Sequence, residues 1–374
     1  FVQDPVEPGL MFAGTEYGLY VSFDGGDNWN RWTSGYPTVS TYDMAIQPRE
    51  HDLVIATFGR AAWVLDDIRP LRALASTGKK LLDSKLATFG IPDAYLASMK
   101  NLPGYYFYGD AMYRGQNREP GAMISFYTAA DSAKVSVVIK DDAGNVVKTT
   151  EINAIKGFNR FIWRLDRNPL PQLTYPSERD QQQDPRTRYF SRGFGGIVSP
   201  GNYTVTLSGE GESSSTGVIV KHDPRMAAPD SDALRKNYER ALKFGAGIEA
   251  LNAKLKAVTE VRDAIAKSEK LFPHNPGFAT AVSEEHKAVK EELARLDEAF
   301  WRRQDGLSSR IGGYRVLLTA AGPLTDQEEK GTADAGAAIA EAEKLVNAMM
   351  EGSWTRYKSK LKEVTLTGEE VILK

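Results

Sequence analysis

The chain has 374 residues, which suits two or three domains, and its 41% hydrophobic and 26% charged composition is that of a folded protein with apolar cores. The formal net charge of −2 gives no basic field that would hold a phosphate backbone, so we expect no nucleic-acid partner. The sequence has no cysteine, which excludes thiol nucleophiles, disulfides and cysteine-bound zinc or iron–sulfur sites.

The N-terminal residues, Phe1-Val-Gln-Asp-Pro5, contain no basic segment followed by an apolar one, as a signal peptide would. We therefore expect the chain to continue a longer polypeptide. Elsewhere the sequence has no run of about 18 uncharged apolar residues, so we also expect no membrane span.

Residues 1–70 have the pattern of antiparallel sheet, because short β-branched or aromatic runs alternate with Gly, Asp and Pro. The order strand, glycine turn, strand, acidic end begins at Leu10 and again at Asp52, about 42 residues later. Repeats of about 40–45 residues with several short strands are typical of propeller blades, so this region predicts the last one to two blades of a β-propeller. The expected strands are Leu10–Gly14, Gly18–Ser22, Asp43–Ile46, Asp52–Thr57 and Ala61–Leu65.

Residues 71–120 are interpreted as a connector, and strand patterns return over 121–225. Asp142-Ala-Gly-Asn145 is typical of a hairpin turn, and we predict a small β-sandwich here. A polar insert at 177–192 lies between two of its strands and is interpreted as a loop. The expected strands are Ala122–Thr128, Lys134–Lys140, Asn159–Leu165 and Asn202–Leu207.

From Pro229 onward, apolar residues recur at steps of three and four, which predicts a bundle of three long helices over 229–374, each about 50 Å or more in length. The first helix places Leu234, Leu242 and Ile265 on its apolar face, and the second continues through Ile311 and Leu318. Thr325-Asp-Gln-Glu328 is a capping box that begins the third helix. Alternation over 363–374 predicts a short terminal strand.

Ser22-Phe-Asp24-Gly-Gly26-Asp-Asn-Trp29 fits the S-x-D-x-G-x-x-W pattern of an Asp-box. In such a turn the carboxylate of Asp24 accepts backbone N–H bonds, Gly26 takes a positive φ, and Trp29 packs under the turn. The segment resembles the BNR-repeat propellers, a group that includes sialidases and sortilin-type propellers. This resemblance implies a fold, since Asp-boxes lie on blade turns and seldom in active sites.

Residues 48–67 resemble the closing blade of large secreted bacterial BNR-repeat proteins described as glycosyl hydrolase-like, although Phe58 stands where that family usually has His. Residues 157–166 and 199–207 are similar to the FlgD-like, Ig-type sandwich that follows the propeller in those proteins. The resemblance implies the C-terminal end of a longer secreted, periplasmic or cell-surface protein. It also implies that further blades precede Phe1 or belong to a partner chain.

The densest polar group of the propeller region consists of Arg49, His51, Asp52 and Arg60. These residues are candidates for an acid–base pair or for an arginine site that binds a carboxylate. The alternative is structural: Asp52 begins a strand after a turn, and Arg60 forms an ion pair between blades. We keep all four as binding candidates and predict no catalytic residue.

Other groups have simpler interpretations. Asp66 and Asp67 are neighbours that point to opposite faces of a strand, which favours a strand-end role over a glycosidase pair or a cation site. The aromatic residues at 105–108 and Tyr113 form a sugar-stacking surface or, more simply, an apolar clamp. Arg302 and Arg303 are too small a patch for nucleic acid. The histidines lack zinc-binding spacing, so we expect no metal and no cofactor.

The sequence therefore predicts a multidomain β plus α chain with terminal propeller blades (1–70), a connector (71–120), an Ig-like sandwich (121–225) and a three-helix bundle with a short C-terminal extension (229–374). The predicted function is non-catalytic binding or docking of a protein or glycan. Two alternatives remain open. One is part of a glycoside hydrolase whose carboxylates lie mainly on upstream blades, and the other is a structural subunit of a cell-surface or secretion complex.

Overall fold

The computed structural model describes residues 1–96, 118–175, 195–301, 305–320 and 322–364. These residues form two compact units, one made of Phe1–Asn168 with Val198–Ala228 and the other of Pro169–Ile197 with Pro229–Lys374. The first unit is built from several β-sheets and the second from helices, including one of 41 residues. The prediction of a mixed β plus α chain is confirmed at this level.

Two antiparallel sheets form the beginning of the first unit, and short helices α1 (Arg69–Thr77) and α2 (Lys79–Leu82) follow them. Residues from both sheets share one apolar core, to which Phe12, Leu19, Leu53 and Ile55 contribute. The first sheet has the order β1-β2-β3-β4 and the second β5-β6-β7, with bounds β1 Val2–Gln3, β2 Met11–Thr15, β3 Gly18–Ser22, β4 Asn30–Trp32, β5 Thr41–Gln47, β6 Asp52–Thr57 and β7 Ala62–Leu65.

The second of these sheets buries only one of its faces. Leu53 and Ile55 of β6 are buried, while Val54 between them is 37% exposed. Val54 is the register partner of Val64 on β7, which is 54% exposed. The outer face of the β5-β6-β7 sheet therefore presents an apolar cross-strand pair to solvent.

Two further sheets complete the first unit around a core that contains Trp163, Phe126, Val137 and Leu207. The predicted hairpin turn is present: Gly144 has a φ of +82°, and Asp141 accepts the Asn145 amide at 2.9 Å. The sheets have the orders β13-β10-β8 and β12-β11-β14-β15-β9, with bounds β8 Leu86–Thr88, β9 Ala94–Leu96, β10 Ala122–Thr128, β11 Ala133–Asp141, β12 Val146–Ala154, β13 Gly157–Trp163, β14 Gly201–Gly209 and β15 Glu212–His222.

The helical unit begins with a long helix whose first turn is capped by Asp230, which accepts the Ala233 amide at 3.0 Å. A 3-10 turn at Phe272–His274 directly follows this long helix, and another at Gly312–Arg315 lies between two short helices. The helices are α3 Ser231–Leu271, α4 Pro276–Ala281, α5 Ser283–Trp301, α6 Leu307–Ile311, α7 Val316–Thr319, α8 Asp326–Glu351 and α9 Ser353–Glu363.

The helices differ from the predicted ones in length and, in part, in which residues are buried. Helix α3 is about 60 Å long, but α5 ends at Trp301, and the continuation through Ile311 is broken into short pieces that begin after Gly306. The predicted second helix was therefore too long, since glycine at Gly306 favours a break. Leu242 is 45% exposed, and its neighbour Ala241 is buried in its place.

The C-terminal part of the helical unit is helical up to Glu363, where the sequence analysis expected a strand to begin. Residues 365–374 of that predicted strand lie outside the described residues, as do the aromatic residues at 105–108 and 113, the insert at 177–192, and Arg302 and Arg303. Within the described part of the chain, none of the helices combines the length and apolarity that crossing a bilayer requires.

Candidate functional site

The Asp-box residues form a closed set of hydrogen bonds in the turn between β3 and β4. Ser22 Oγ donates to Asp24 Oδ1 at 2.7 Å and accepts the Gly26 amide at 2.9 Å. Asp24 also accepts the backbone and side-chain N–H groups of Asn28, and these bonds are the main reason that its pKa lies below the usual value. Gly26 has a φ of +104°. The carboxylate of Asp24 thus acts within the turn.

Trp29 lies beside this turn and is partly buried. Its ring centroid is 5.8 Å from that of Phe1 in an edge-on arrangement, and its Cζ2 lies 3.9 Å from where a Cβ on Gly26 would be. Trp29 therefore packs against the glycine side of the turn, where a larger residue than Gly26 would come into contact with the indole.

Two of the four binding candidates lie on the surface. Arg49 has a side chain that is 79% exposed and pairs with its neighbour Glu50 at 2.8 Å. Arg60 is exposed, and its backbone carbonyl accepts the indole N–H of Trp63 at 3.0 Å. Within the described residues, neither arginine has a hydrogen bond or an ion pair with His51 or Asp52. The structure does not bring the four candidates into one constellation.

His51 belongs instead to a buried charged group that the sequence analysis did not identify. Its Nδ1 lies 2.9 Å from Nη1 of Arg72, which also makes a two-pronged ion pair with Asp4 at 2.7–3.0 Å. Asp4 and Arg72 are 1% and 8% exposed. A guanidinium only donates, so Nδ1 of His51 accepts and the proton of the neutral ring is on Nε2. Burial is the first cause that lowers the pKa of His51, followed by the charges of Arg69 and Arg72.

Asp52 and Asp67 hold the other side of the same group. Oδ1 of Asp52 accepts the amide of Asp67 at 2.8 Å, and burial raises the pKa of Asp52 against the opposing effect of that bond. Asp67 is 2% exposed and pairs with Nε of Arg69 at 2.6 Å. We refer to Asp4, His51, Asp52, Asp67, Arg69 and Arg72 as the strand-end cluster.

A further arginine closes the strand-end cluster from strand β13. Arg160 donates to the backbone carbonyl of Asp66 at 2.9 Å and to Oγ of Ser125 at 3.2 Å. The cluster thus joins chain positions 4, 51–52, 66–72 and 160, and among its described atoms Oδ2 of Asp67 and Nη2 of Arg69 are buried without a hydrogen-bond partner. The other charged groups bond to one another, which is typical of a buried structural network. In the described residues, no group of three or more His, Asp or Glu is placed to hold a metal ion.

The helical unit contains an open cleft of about 750 Å³, which lies within the range of ligand sites. Its walls are formed by residues 172–175, by helix α3, by the end of α5, and by α6 with the 3-10 turn at Gly312–Arg315. We call it the helical cleft, and its lining residues are Gln172, Leu173, Thr174, Tyr175, Ile248, Asn252, Leu255, Lys256, Thr259, Trp301, Ser308, Ile311, Gly312, Tyr314 and Arg315.

One wall of the cleft is fixed by Asn252 of α3. Its side-chain oxygen accepts the Thr174 amide at 2.8 Å, and its nitrogen donates to the Gln172 carbonyl at 2.7 Å. The amide therefore substitutes for a strand partner and holds residues 172–174 along the helix. Gly245, two turns earlier, leaves room for Pro171, which lies 3.3 Å from where its Cβ would be.

The floor of the cleft is aromatic. Tyr175 stacks on Phe300 at 4.1 Å between ring centroids, and Trp301 meets Tyr175 edge-on at 6.4 Å. Tyr175 accepts from Nη2 of Arg262, which pairs with Asp297 at 2.6 Å. Burial is the main cause that raises the pKa of Tyr175, which keeps the phenol neutral. Trp301 is 42% exposed, so its indole offers a free aromatic face.

The charges around the cleft have one sign. Lys256 and Arg315 are exposed lining residues, and no Asp or Glu lines the cleft within the described residues. Ser308 Oγ is buried and has no hydrogen-bond partner in the described part of the chain. Sequence analysis missed the cleft because its walls come from distant segments. Trp301 was considered in the sequence only as the residue before the Arg302 and Arg303 pair, which was judged too small for nucleic acid.

Comparisons with known proteins give little similarity. No protein-family model matches the chain, and no curated protein does. Among solved structures, a chain described as "Biofilm associated protein - BSP domain" is similar to this one with 11% sequence identity and a TM-score of 0.18. That alignment covers 57% of this chain and 29% of the other, so this chain spans well under half the length of that structure.

Proposed function

We propose that this chain is a non-catalytic binding region of a secreted, periplasmic or cell-surface BNR-repeat protein, and that it engages a glycan or protein segment in the helical cleft. The observation that carries the proposal is a contrast between the two groups of polar residues. In the strand-end cluster, Arg72 is bonded to Asp4 and His51, whereas the helical cleft leaves the indole of Trp301 exposed and is also lined by Lys256 and Arg315, which form no salt bridge in the described residues.

The proposal includes propeller blades at 1–70 and an Ig-like, FlgD-like sandwich at 121–225. Two features support the blades: the bonded Asp-box turn at Ser22–Trp29 and a pair of antiparallel sheets that share one core. The exposed pair Val54 and Val64 supports a further sheet that packs on the outer face of β5-β6-β7. That sheet is a further blade, from the same polypeptide or a partner chain.

The glycoside hydrolase alternative has one observation in its favour, the raised pKa of Asp52. A glycosidase acid needs a raised pKa, but it also needs a second carboxylate at about 5–10 Å with the substrate between them. Oδ1 of Asp52 is bonded to the Asp67 amide, and the Asp67 carboxylate pairs with Arg69. We therefore place this alternative second.

The experiment that tests the proposal is binding of the full chain to a panel of immobilised oligosaccharides and proteins, with hydrolysis products followed by mass spectrometry in the same samples. We expect binding without turnover, and we expect Trp301→Ala to remove it. Tyr17→Ala is the matched control, because Tyr17 is another exposed aromatic residue, 68% accessible and remote from the cleft in sequence. Turnover that Asp52→Asn abolishes would favour the hydrolase, and binding that survives Trp301→Ala would place the ligand elsewhere.

A further inference from the structure

The helical cleft combines an aromatic floor with cations that have no carboxylate partner in the described residues, although Arg315 also hydrogen-bonds the side chain of Tyr314. Lys256 and Arg315 form no salt bridge with any residue in the described ranges, whereas Arg262 beneath the floor is paired with Asp297 at 2.6 Å. The charge of Arg262 is thus neutralised by Asp297, whereas in the described residues no carboxylate neutralises Lys256 and Arg315, which form the rim of the cleft. A site with this distribution attracts an anion to its rim and leaves its floor for an uncharged surface.

The two kinds of lining group point to two parts of one ligand. A guanidinium and an ammonium select a carboxylate, which Arg holds through two parallel hydrogen bonds. An exposed indole face carries a negative quadrupole and packs against the slightly positive C–H face of a ring. Thr259, which also lines the cleft, carries a hydroxyl that can hydrogen-bond a hydroxyl group of the same ligand.

We infer that the helical cleft binds an acidic sugar of a glycan chain, a uronate unit, with its carboxylate at Arg315 and Lys256 and its ring face on Trp301. This inference rests on the proposed binding function and names the ligand class. The cleft volume of about 750 Å³ accommodates a short oligosaccharide. An acidic peptide shares the carboxylate but lacks a saturated ring to cover the indole, so the glycan explains both parts of the lining.

The test compares two ligands that share their sugar rings, one negatively charged and one neutral. The full chain is titrated by calorimetry with trigalacturonate and with its methyl ester, which keeps the rings and removes the negative charges. We expect the acid to bind at least about tenfold more tightly than the ester, and to lose affinity as salt is added. A short glutamate peptide is titrated in parallel.

Variants then separate the roles of the rim and the floor. Arg315→Gln and Lys256→Gln should each weaken the acid several-fold and change the ester little, since each removes a positive charge that only the carboxylate needs. Trp301→Ala should weaken both ligands. Lys267→Gln is the matched control, because Lys267 is an exposed lysine of the same helix that does not line the cleft. All these side chains are exposed, so folding of each variant is checked by its thermal midpoint.

The outcomes distinguish the inference from the proposed function. Equal affinity for acid and ester overturns the acidic-sugar inference and leaves glycan binding in place. Binding of the glutamate peptide without the uronide overturns it in favour of a protein ligand. Failure of every glycan and protein in the panel overturns the proposed function itself.

Discussion

At the scale of single residues, the buried pair of Asp4 and Arg72 is the charged contact on which the first unit depends most. Asp4 accepts two N–H groups from Arg72 and also caps the amides of Val6 and Glu7 at 2.9 and 2.7 Å. Both charges are nearly removed from water. Removing one partner of such a pair leaves the other charge buried and alone, which costs far more than the pair itself contributes.

We predict that Asp4→Asn lowers the free energy of unfolding of the first unit by about 3–5 kcal/mol, because the amide keeps the shape but leaves Arg72 without its counter-charge. Urea unfolding followed by the fluorescence of the tryptophans measures this loss. Arg49→Gln is the control: its side chain is 79% exposed, and a change within about 0.5 kcal/mol is expected. Similar losses in the two variants would mean that the buried pair is not a structural contact.

His51 gives the first unit a dependence on pH with a definite sign. Its pKa in the folded chain lies below the ordinary value of 6.5, because burial comes first and the charges of Arg69 and Arg72 add to it, against Asp67 and Asp4. The fold thus favours the neutral ring, so this contribution to stability is fully present above pH 6.5 and is lost as the pH falls through the lowered value. Asp52 has a raised pKa and contributes with the opposite sign, but only nearer its own acidic range.

We predict that the stability of the first unit falls as the pH drops below 6.5 and that His51→Asn flattens this part of the profile. Asn tolerates the positive φ of +63° at this position, and its carbonyl oxygen can accept from Arg72 as Nδ1 does. Thermal midpoints measured over this pH range test the prediction. An unchanged slope in His51→Asn would assign the pH dependence to other groups.

At the scale of elements, a close approach of two strands fixes how the first two sheets pack. A Cβ added to Gly14 on β2 would lie 2.7 Å from Cγ2 and 2.8 Å from the carbonyl oxygen of Thr41, at the start of β5. Thr41 is held in place, since its Oγ1 lies 2.7 Å from the hydroxyl of Tyr36, with which it shares a hydrogen bond. The approach therefore requires glycine for space, although Gly14 lies in ordinary strand conformation.

We predict that Gly14→Ala destabilises the first unit by about 1–3 kcal/mol, since overpacking exceeds the gain of about 0.5–1 kcal/mol that alanine brings over glycine within a strand. Gly90→Ala is the matched control, because a Cβ at Gly90 meets nothing within 4 Å. Urea unfolding of both variants gives the comparison. A neutral Gly14→Ala would show that the two sheets adjust their spacing at little cost.

Sequence patterns predicted helix starts and strands well where the pattern lies within a few neighbouring residues. The capping box at Thr325 and Glu328 is formed by both expected bonds, and the strands at Gly18–Ser22 and Asp52–Thr57 have the predicted bounds. The break at Gly306 was missed, because apolar periodicity continues across this glycine. Apolar spacing reports which face is buried, but it does not report whether the helix is continuous.

At the scale of the whole molecule, the contacts that could not be predicted from the sequence are those between distant segments of the chain. Arg72 and Asp4 are 68 positions apart, and no pattern of either neighbourhood marks them as partners. The cleft has the same origin, since Tyr175 and Trp301 meet through packing of the helical unit alone. Of the four binding candidates, His51 and Asp52 lie in a polar cluster whose other members, such as Arg72 and Asp67, come from elsewhere in the chain.

The sheet face around Val54 and Val64 is an exposed apolar surface that another molecule can cover. Val54 lies on the central strand β6, with the exposed Ala45 and Val64 as its cross-strand neighbours. An apolar sheet face of this kind gains free energy when another surface covers it, by about 25 cal/mol for each Å² removed from water. If a further blade normally covers it, the isolated chain presents it to other copies.

We predict that the isolated chain self-associates as its concentration rises and that Val64→Lys reduces this association, because an ammonium on the face must lose water when the face is covered. Ile155→Lys is the matched control: Ile155 is 66% exposed in a turn outside this face, so the same charge change should leave association unaltered. Sedimentation velocity over a range of concentrations measures the weight-average mass of each variant. A chain that stays monomeric throughout, or that associates equally with either lysine, would show that the Val54–Val64 face is stable in water and has no need of a further sheet.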